Sequence, residues 1–330
     1  MNVCIMMKPT GISVGTSIED PHFISTSLVN ALDEFNSKMD ESDAELMEIC
    51  KIYNPHEYVF SVITDCSVSR IEAPSNLYYE LHEIVSSFGM LKTPPTSVLH
   101  IVATESNNNH SYYDITTKFP TLSLLFNKPD DGQQPWGQPQ GQQQQCQQQC
   151  QQQCQQQQQE SVDFMFIDYT DLTTIDIQPI YNKLNSSGSC IIKLSNITNK
   201  RVISAIYVLS IMFEKTHLLK PSVMNILSGD AFILCTSFLN STTAEYYGSI
   251  DLSTILIPSI FLCRIEEFNS INGHRQLDAY DQVFNLFHNK NKISKLELLK
   301  KTNIQKSVAW CDKHGIPHNK FGDRINMFLQ

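Results

Sequence analysis

Apolar residues recur at two periods along this 330-residue chain, and the switching between them marks an α/β organisation. In residues 28–53, Leu28, Leu32, Phe35, Met39, Leu46, Ile49 and Cys50 fall near helical spacing. Residues 76–90 carry a second stripe, Leu77, Leu81, Ile84, Val85 and Phe88, opened by Pro74-Ser75. Runs rich in β-formers predict strands over 97–103, 121–126, 162–168, 188–194 and 231–239, with 58–64 as a further strand or docking segment. Residues 175–184 and 201–213 read as helices between them. Strands spaced by helical segments predict βαβ units and a largely parallel sheet, and unalternated apolar runs fit strands covered on both faces. Residues 1–25 are polar and turn-rich and read as a weakly ordered arm. From Ile265 onward the chain turns polar and helical, with 283–287 and 293–299 as amphipathic pieces. The expected division is an N-terminal arm and helix (1–53), an α/β domain (54–245) interrupted by a Gln-rich insert (132–160), and a mainly helical C-terminal appendage (246–330).

Composition narrows the chemistry. The formal net charge is -10, which opposes binding of nucleic acid by bulk electrostatics. There are only 12 glycines and no Gly-x-Gly, against a standard phosphate-cradling loop. The longest apolar stretch, 202–213, is far shorter than the ~20 residues of a membrane span, and the first residues lack the layout of a signal peptide. A cytoplasmic protein with no membrane partner is expected. None of the ten cysteines has Cys-x-x-Cys spacing, so the common zinc patterns are absent, and no metal site is assigned. Cys190 and Cys235 sit inside apolar runs and read as buried reduced thiols.

Several local features have a plain structural reading. Cys146, Cys150 and Cys154 are spaced by four within the glutamine tract, which reads as a solvated repeat expansion on a surface loop. His56, His82, His100 and His110 show no ligand spacing and read as surface or satisfied core histidines. His314 and His318 are four positions apart, with three residues between them, but Gly315 and Pro317 break the helix such a metal pair would need. Trp310 reads as an anchor for the tail. The basic cluster Lys290, Lys292, Lys295, Lys300, Lys301 and Lys306 is the best candidate for contact with RNA or an acidic partner.

Four stretches, in order, resemble one family. Asn54-Pro55-His56-Glu57 is similar to an early Asn-Pro-Tyr-Glu of FtsJ-like methyltransferases of large DNA viruses. Residues 73–84 resemble that family's opening helix, Ser-Arg-x-Tyr-Tyr-Lys-Leu-x-Glu-Ile, and Ile191-Ile192-Lys193-Leu194 resembles its Ile-Ile-Lys strand. Lys220-Pro221 followed by residues 228–235 resembles Lys-Pro-x-x-Ser with Ser-x-Glu-x-Tyr-x-Val-Cys, although Met224 stands where a serine is expected. Residues 309–317 resemble a closing Trp-Cys-x-Lys-x-x-Ile-Pro. The resemblance implies a Rossmann-like methyltransferase sheet with flanking helices, S-adenosylmethionine as methyl donor, and methylation of an RNA ribose 2′-hydroxyl, often at the mRNA cap. It also implies a Lys-Asp-Lys-Glu tetrad, which falls on Glu80, Asp168, Lys193 and Asp230, with Ala103, Glu105 and Asp168 on the donor side.

Two departures bear on activity. Glu80 replaces the first lysine, so Lys193 faces three carboxylates, and nearby carboxylates favour a lysine's charged form, the wrong direction for a base. The turn after 99–103 contains no glycine, whereas close backbone approach to a donor favours residues without a Cβ. The expected function is therefore a degenerate, non-catalytic binding or scaffold protein that needs no donor, working with RNA or an active capping enzyme in the host cytoplasm or a virion. The alternatives are an active RNA 2′-O-methyltransferase with a divergent donor site and an α/β interaction protein of the virion.

Overall fold

The computed structural model describes residues 1–9, 11–14, 25–39, 43–62, 67–92, 95–102, 112–114, 125, 161–169, 176–195, 197–239, 251–289 and 292–319. The strands are β1 (Asn2–Ile5), β2 (Ser13–Val14), β3 (Val98–Val102), β4 (Tyr112–Asp114), β5 (Val162–Tyr169), β6 (Leu184–Leu194), β7 (Phe213–Lys220), β8 (Ala231–Phe238) and β9 (Ile255–Leu256). The helices are α1 (Thr26–Lys38), α2 (Ala44–Tyr53), α3 (Leu77–Ser87), α4 (Gln178–Lys183), α5 (Lys200–Met212), α6 (Ser259–His288) and α7 (Lys292–His314).

Seven strands form one mixed sheet in the order β1-β7-β8-β6-β5-β3-β4, and β2 pairs with β9 apart from it. Among the described residues, only β3, β5 and β6 pair in parallel. β8 lies antiparallel between β6 and β7, and β1 and β4 close the edges antiparallel. This corrects the expectation of a largely parallel sheet. A parallel return needs a crossover of about a dozen residues or more, and the short link from Lys220 to Ala231 permits only an antiparallel one. β7 escaped the sequence reading because Glu214, Lys215 and His217 interrupt its apolar pattern.

Strand alternation splits the core in two. Met165, Ile167, Cys190, Ile192, Ile233 and Cys235 face α5 and the start of α6, where Ile203, Ile206, Phe261 and Ile265 complete one apolar layer. Phe164, Phe166, Ile191, Phe232 and Leu234 face α3 and α7, with Tyr79, Leu81, Ile84, Ile304 and Trp310 opposite them. Helices thus cover both faces, which is why these strands read as continuous apolar runs. α3 is buried from Tyr78 to Val85 because it lies between the sheet and α7.

Other local expectations change in detail. The helix expected over 28–53 is two helices, and Asp43 caps the second, its carboxylate accepting from the N–H of Glu45 and Leu46 at 3.0 and 3.1 Å. Within 58–64, Tyr58 and Val59 belong to a 3₁₀ turn docked on the α3-side core, and residues 63–64 lie outside the described residues. The first residues are not simply an arm, since Asn2–Ile5 pairs with β7. Of the strand expected over 121–126 only Leu125 is described; it is helical and buried. The glutamine tract lies outside the described residues. No helix among the described residues is long and apolar enough to cross a membrane.

Candidate active site at the carboxyl edge of the sheet

The same alternation that sorts the core positions the charges. Phe164 and Phe166 face α3, so Asp168 at the end of β5 belongs to that face; Ile191 places Lys193 there, and Phe232 and Leu234 place Asp230 there. Asp168 and Lys193 are direct partners across the parallel β5–β6 pair, and Lys193 is opposite Phe232 across β6–β8. α3 runs over this face and brings in Glu80. Lys193 Nζ lies 3.3 Å from Glu80 Oε2 and 3.9 Å from Asp230 Oδ2, and 5.8 Å from the centre of the Phe232 ring. Asp168 is within electrostatic reach of both Glu80 and Asp230. The structure therefore brings together Glu80, Asp168, Lys193 and Asp230.

These groups are not equally comfortable. Glu80 is 8% exposed, and its Oε2, although ion-paired with Lys193, makes no well-angled hydrogen bond. Burial pushes its carboxyl above the usual range, and the Lys193 ammonium only partly offsets this. Burial likewise raises Asp230, against the pull of Lys193 and of its contact with Ser228. Charge in this pocket is confined and only partly compensated.

Sequence reasoning missed a second cation. Lys220 ends β7 at the same edge of the sheet, and its ammonium donates to the carbonyl of Ser228, two residues before Asp230. Burial lowers its pKa from the ordinary lysine value to about 8, with Asp230 and Glu80 pulling the other way. Lys193 and Lys220 thus both lie within electrostatic range of Glu80 and Asp230. The signal was present in Lys220-Pro221, but the neighbourhood of Lys220 depends on β7 lying next to β8.

One helical turn further along α3, Glu83 is fully buried and well satisfied. It accepts from the Ser222 N–H at 3.0 Å, the Ser222 hydroxyl at 2.9 Å, the Val223 N–H at 3.1 Å and Trp310 Nε1 at 3.0 Å. The Met1 amine lies 3.3 Å away. Burial pushes this carboxyl up, yet these donors bring it below the usual range. Met224, where the resemblance expects a serine, packs into the α3-side core beside this junction.

Val102 pairs with Asp168, so the carboxyl end of β3 adjoins the site. From β3 the chain passes to β4 on one side and then to β5 on the other. Such reversals are where open α/β sheets place ligands, at the carboxyl ends of their strands. Ala103 and Glu105 lie outside the described residues.

His56 and His82 depart from the satisfied-core expectation, while His110 and the side chain of His100 lie outside the described residues. Among the described residues, the buried Nδ1 atoms of His56 and His82 have no hydrogen-bond partner, and burial pushes both rings down to about 4. His314 bonds Ser86 at 2.8 Å, while His318 faces Asp312 at 3.7 Å, so the two do not converge on one point. The basic cluster also divides. Lys292 pairs with Glu45 at 2.5 Å, and Lys300 with Glu48 and Glu297 at 3.6 and 3.7 Å. Lys295, Lys301 and Lys306 stay exposed, and Lys290 lies outside the described residues. No protein-family model matches this chain, and no curated protein matches it significantly.

Proposed function

We propose that the chain is a divergent homologue of the FtsJ-like ribose 2′-O-methyltransferases that has kept the framework of the site and lost turnover. It acts as a binding or scaffold protein for RNA or beside an active capping enzyme. The observation that carries this reading is the convergence of Glu80, Asp168, Lys193 and Asp230 at one sheet edge, with Lys193 held between Glu80 and Asp230. Held between these carboxylates, Lys193 braces Glu80 and Asp230 against each other. The Rossmann-like reading of the sheet belongs to the same proposal. Its support is the parallel β3-β5-β6 core with the chain reversing at β3. The glycine-free segment after β3 supports loss of donor binding.

One observation favours a second reading, an active RNA methyltransferase with a divergent donor site: the Lys220 amine lies within electrostatic range of Glu80 and Asp230. Incubation with methyl-labelled S-adenosylmethionine and capped RNA separates the two. The native chain and the Glu80→Lys variant are expected to transfer no methyl group, and calorimetry is expected to give donor binding weaker than about micromolar. Measurable transfer by either protein overturns the non-catalytic reading in favour of the second.

A further inference from the structure

Lys193 and Lys220 end parallel-running strands at one edge of the sheet, but they are held differently. Lys193 is fixed by two carboxylates and an aromatic face: Glu80 at 3.3 Å, Asp230 at 3.9 Å and Phe232 at 5.8 Å. Lys220 donates to a neutral carbonyl, that of Ser228, and feels Asp230 and Glu80 only at longer range. An ammonium held by two carboxylates gives up charged partners when it turns to a ligand, whereas one resting on a neutral carbonyl exchanges that partner at less cost. Pro221 follows Lys220 and Ser222 is bonded to Glu83, so the end of β7 is anchored and the amine has a defined origin.

We propose that Lys220 is the lysine of this site that meets the ligand, donating to or accepting from a ribose hydroxyl, and that Lys193 is a positioning residue confined to its ion pairs. Position 80 has given up the positive charge that the family resemblance places there, and β7 supplies one from the neighbouring strand end. The chemistry around it suits a hydroxyl better than a phosphate. Glu80, Asp168 and Asp230 repel an anion but accept hydrogen bonds from O–H groups. Burial has also brought Lys220 to about 8, so a fraction of it is neutral near pH 7 and able to accept a hydroxyl proton. The choice of a ribose rests on the functional reading above; the choice of Lys220 over Lys193 rests on the geometry alone.

The full chain with its lysines 13C-dimethylated provides the test by NMR, with Lys220→Arg and Lys193→Arg used to assign the two signals. Without any ligand, the Lys220 signal is expected to titrate well below the ordinary lysine range. A short RNA is then expected to shift the Lys220 signal and leave that of Lys193 in place. The DNA oligonucleotide of the same sequence, which lacks the 2′-hydroxyl, is expected to shift neither. Lys220→Met is expected to weaken RNA binding at least about tenfold, the scale of one charge-assisted hydrogen bond, while Lys220→Arg keeps the charge and controls for folding. Titration of Lys220 alongside the surface lysines overturns the assignment whether or not RNA binds. A shift of Lys193 instead of Lys220, or equal responses to RNA and DNA, also overturns it. Absence of any RNA binding, with Lys220 still titrating low, overturns the ribose-ligand proposal through the functional reading it rests on; the ligand-free titration tells this failure apart from that of the lysine assignment.

Discussion

Glu80 and Glu83 stand one turn apart on the same buried helix, and they show two ways of placing a carboxylate inside a protein. Glu83 receives five donors from three separate parts of the chain and is held below the usual carboxylate range. Glu80 has one ion pair without good hydrogen-bond geometry, sits near two other carboxylates, and is pushed above that range. A buried charge that is fully hydrogen-bonded is structural cement, and one that is not is a cost retained at a site. The difference lies in what faces each residue. Glu83 points to the Ser222–Val223 backbone and to Trp310 on α7, while Glu80 points to the sheet edge where the strands end.

The comparison is broken most directly at Glu83. Glu83→Ala leaves Trp310 Nε1 and the N–H groups of Ser222 and Val223 without their acceptor, and urea unfolding is expected to show a loss of about 3–5 kcal/mol. Acid provides the next largest effect. Half-buried His56 and buried His82 are held neutral by desolvation, with Glu83, His314, Lys306 and the Met1 amine in electrostatic range of this region. Their folded pKa of about 4 lies below the ordinary 6.5, so the folded state binds fewer protons than the unfolded chain across that window. Stability is fully present above about pH 6.5 and falls as pH drops toward 4, by on the order of 3 kcal/mol per ring at most. Thermal melts between pH 7 and 4 check this, and His82→Phe is expected to flatten the slope.

Trp310→Phe keeps much of the ring packing against Tyr79 but removes the donor to Glu83; a loss of about 1–3 kcal/mol is expected from the same urea series. The smallest effect belongs to Glu80→Gln. Removing a partly compensated charge relieves its burial while weakening the Lys193 pair, so the net change is expected to stay within about 1 kcal/mol. A loss at Glu80→Gln as large as that of Glu83→Ala would erase the distinction between the two residues.

Much of the framework was legible in the residue pattern, for reasons that differ from element to element. The runs at 162–168, 188–194 and 231–239 announce strands because both of their faces are covered. The stripe after Pro74-Ser75 announces α3 because its apolar residues return every three or four positions. β7 stayed hidden because polar residues occupy several of its positions, and β1 because a four-residue edge strand carries too little pattern to stand out. The expectation that Glu80, Asp168, Lys193 and Asp230 share a site came from the family resemblance and not from spacing, since these residues are spread across a long stretch of chain.

Local chemistry sets what each segment can become, so the amino-acid order by itself determined the mixed α/β class, the apolar faces of α3 and of the central strands, and which residues carry charge near the strand ends. Only the tertiary structure decided which of those charges meet. The insertion of β8 between β6 and β7 sets Lys220 beside Asp230, and the packing of α7 over α3 gives Glu83 its indole donor. Both contacts join residues distant in the chain, and no local preference encodes them. They arise from strand order and helix packing, which are settled by how the whole chain buries its apolar surface.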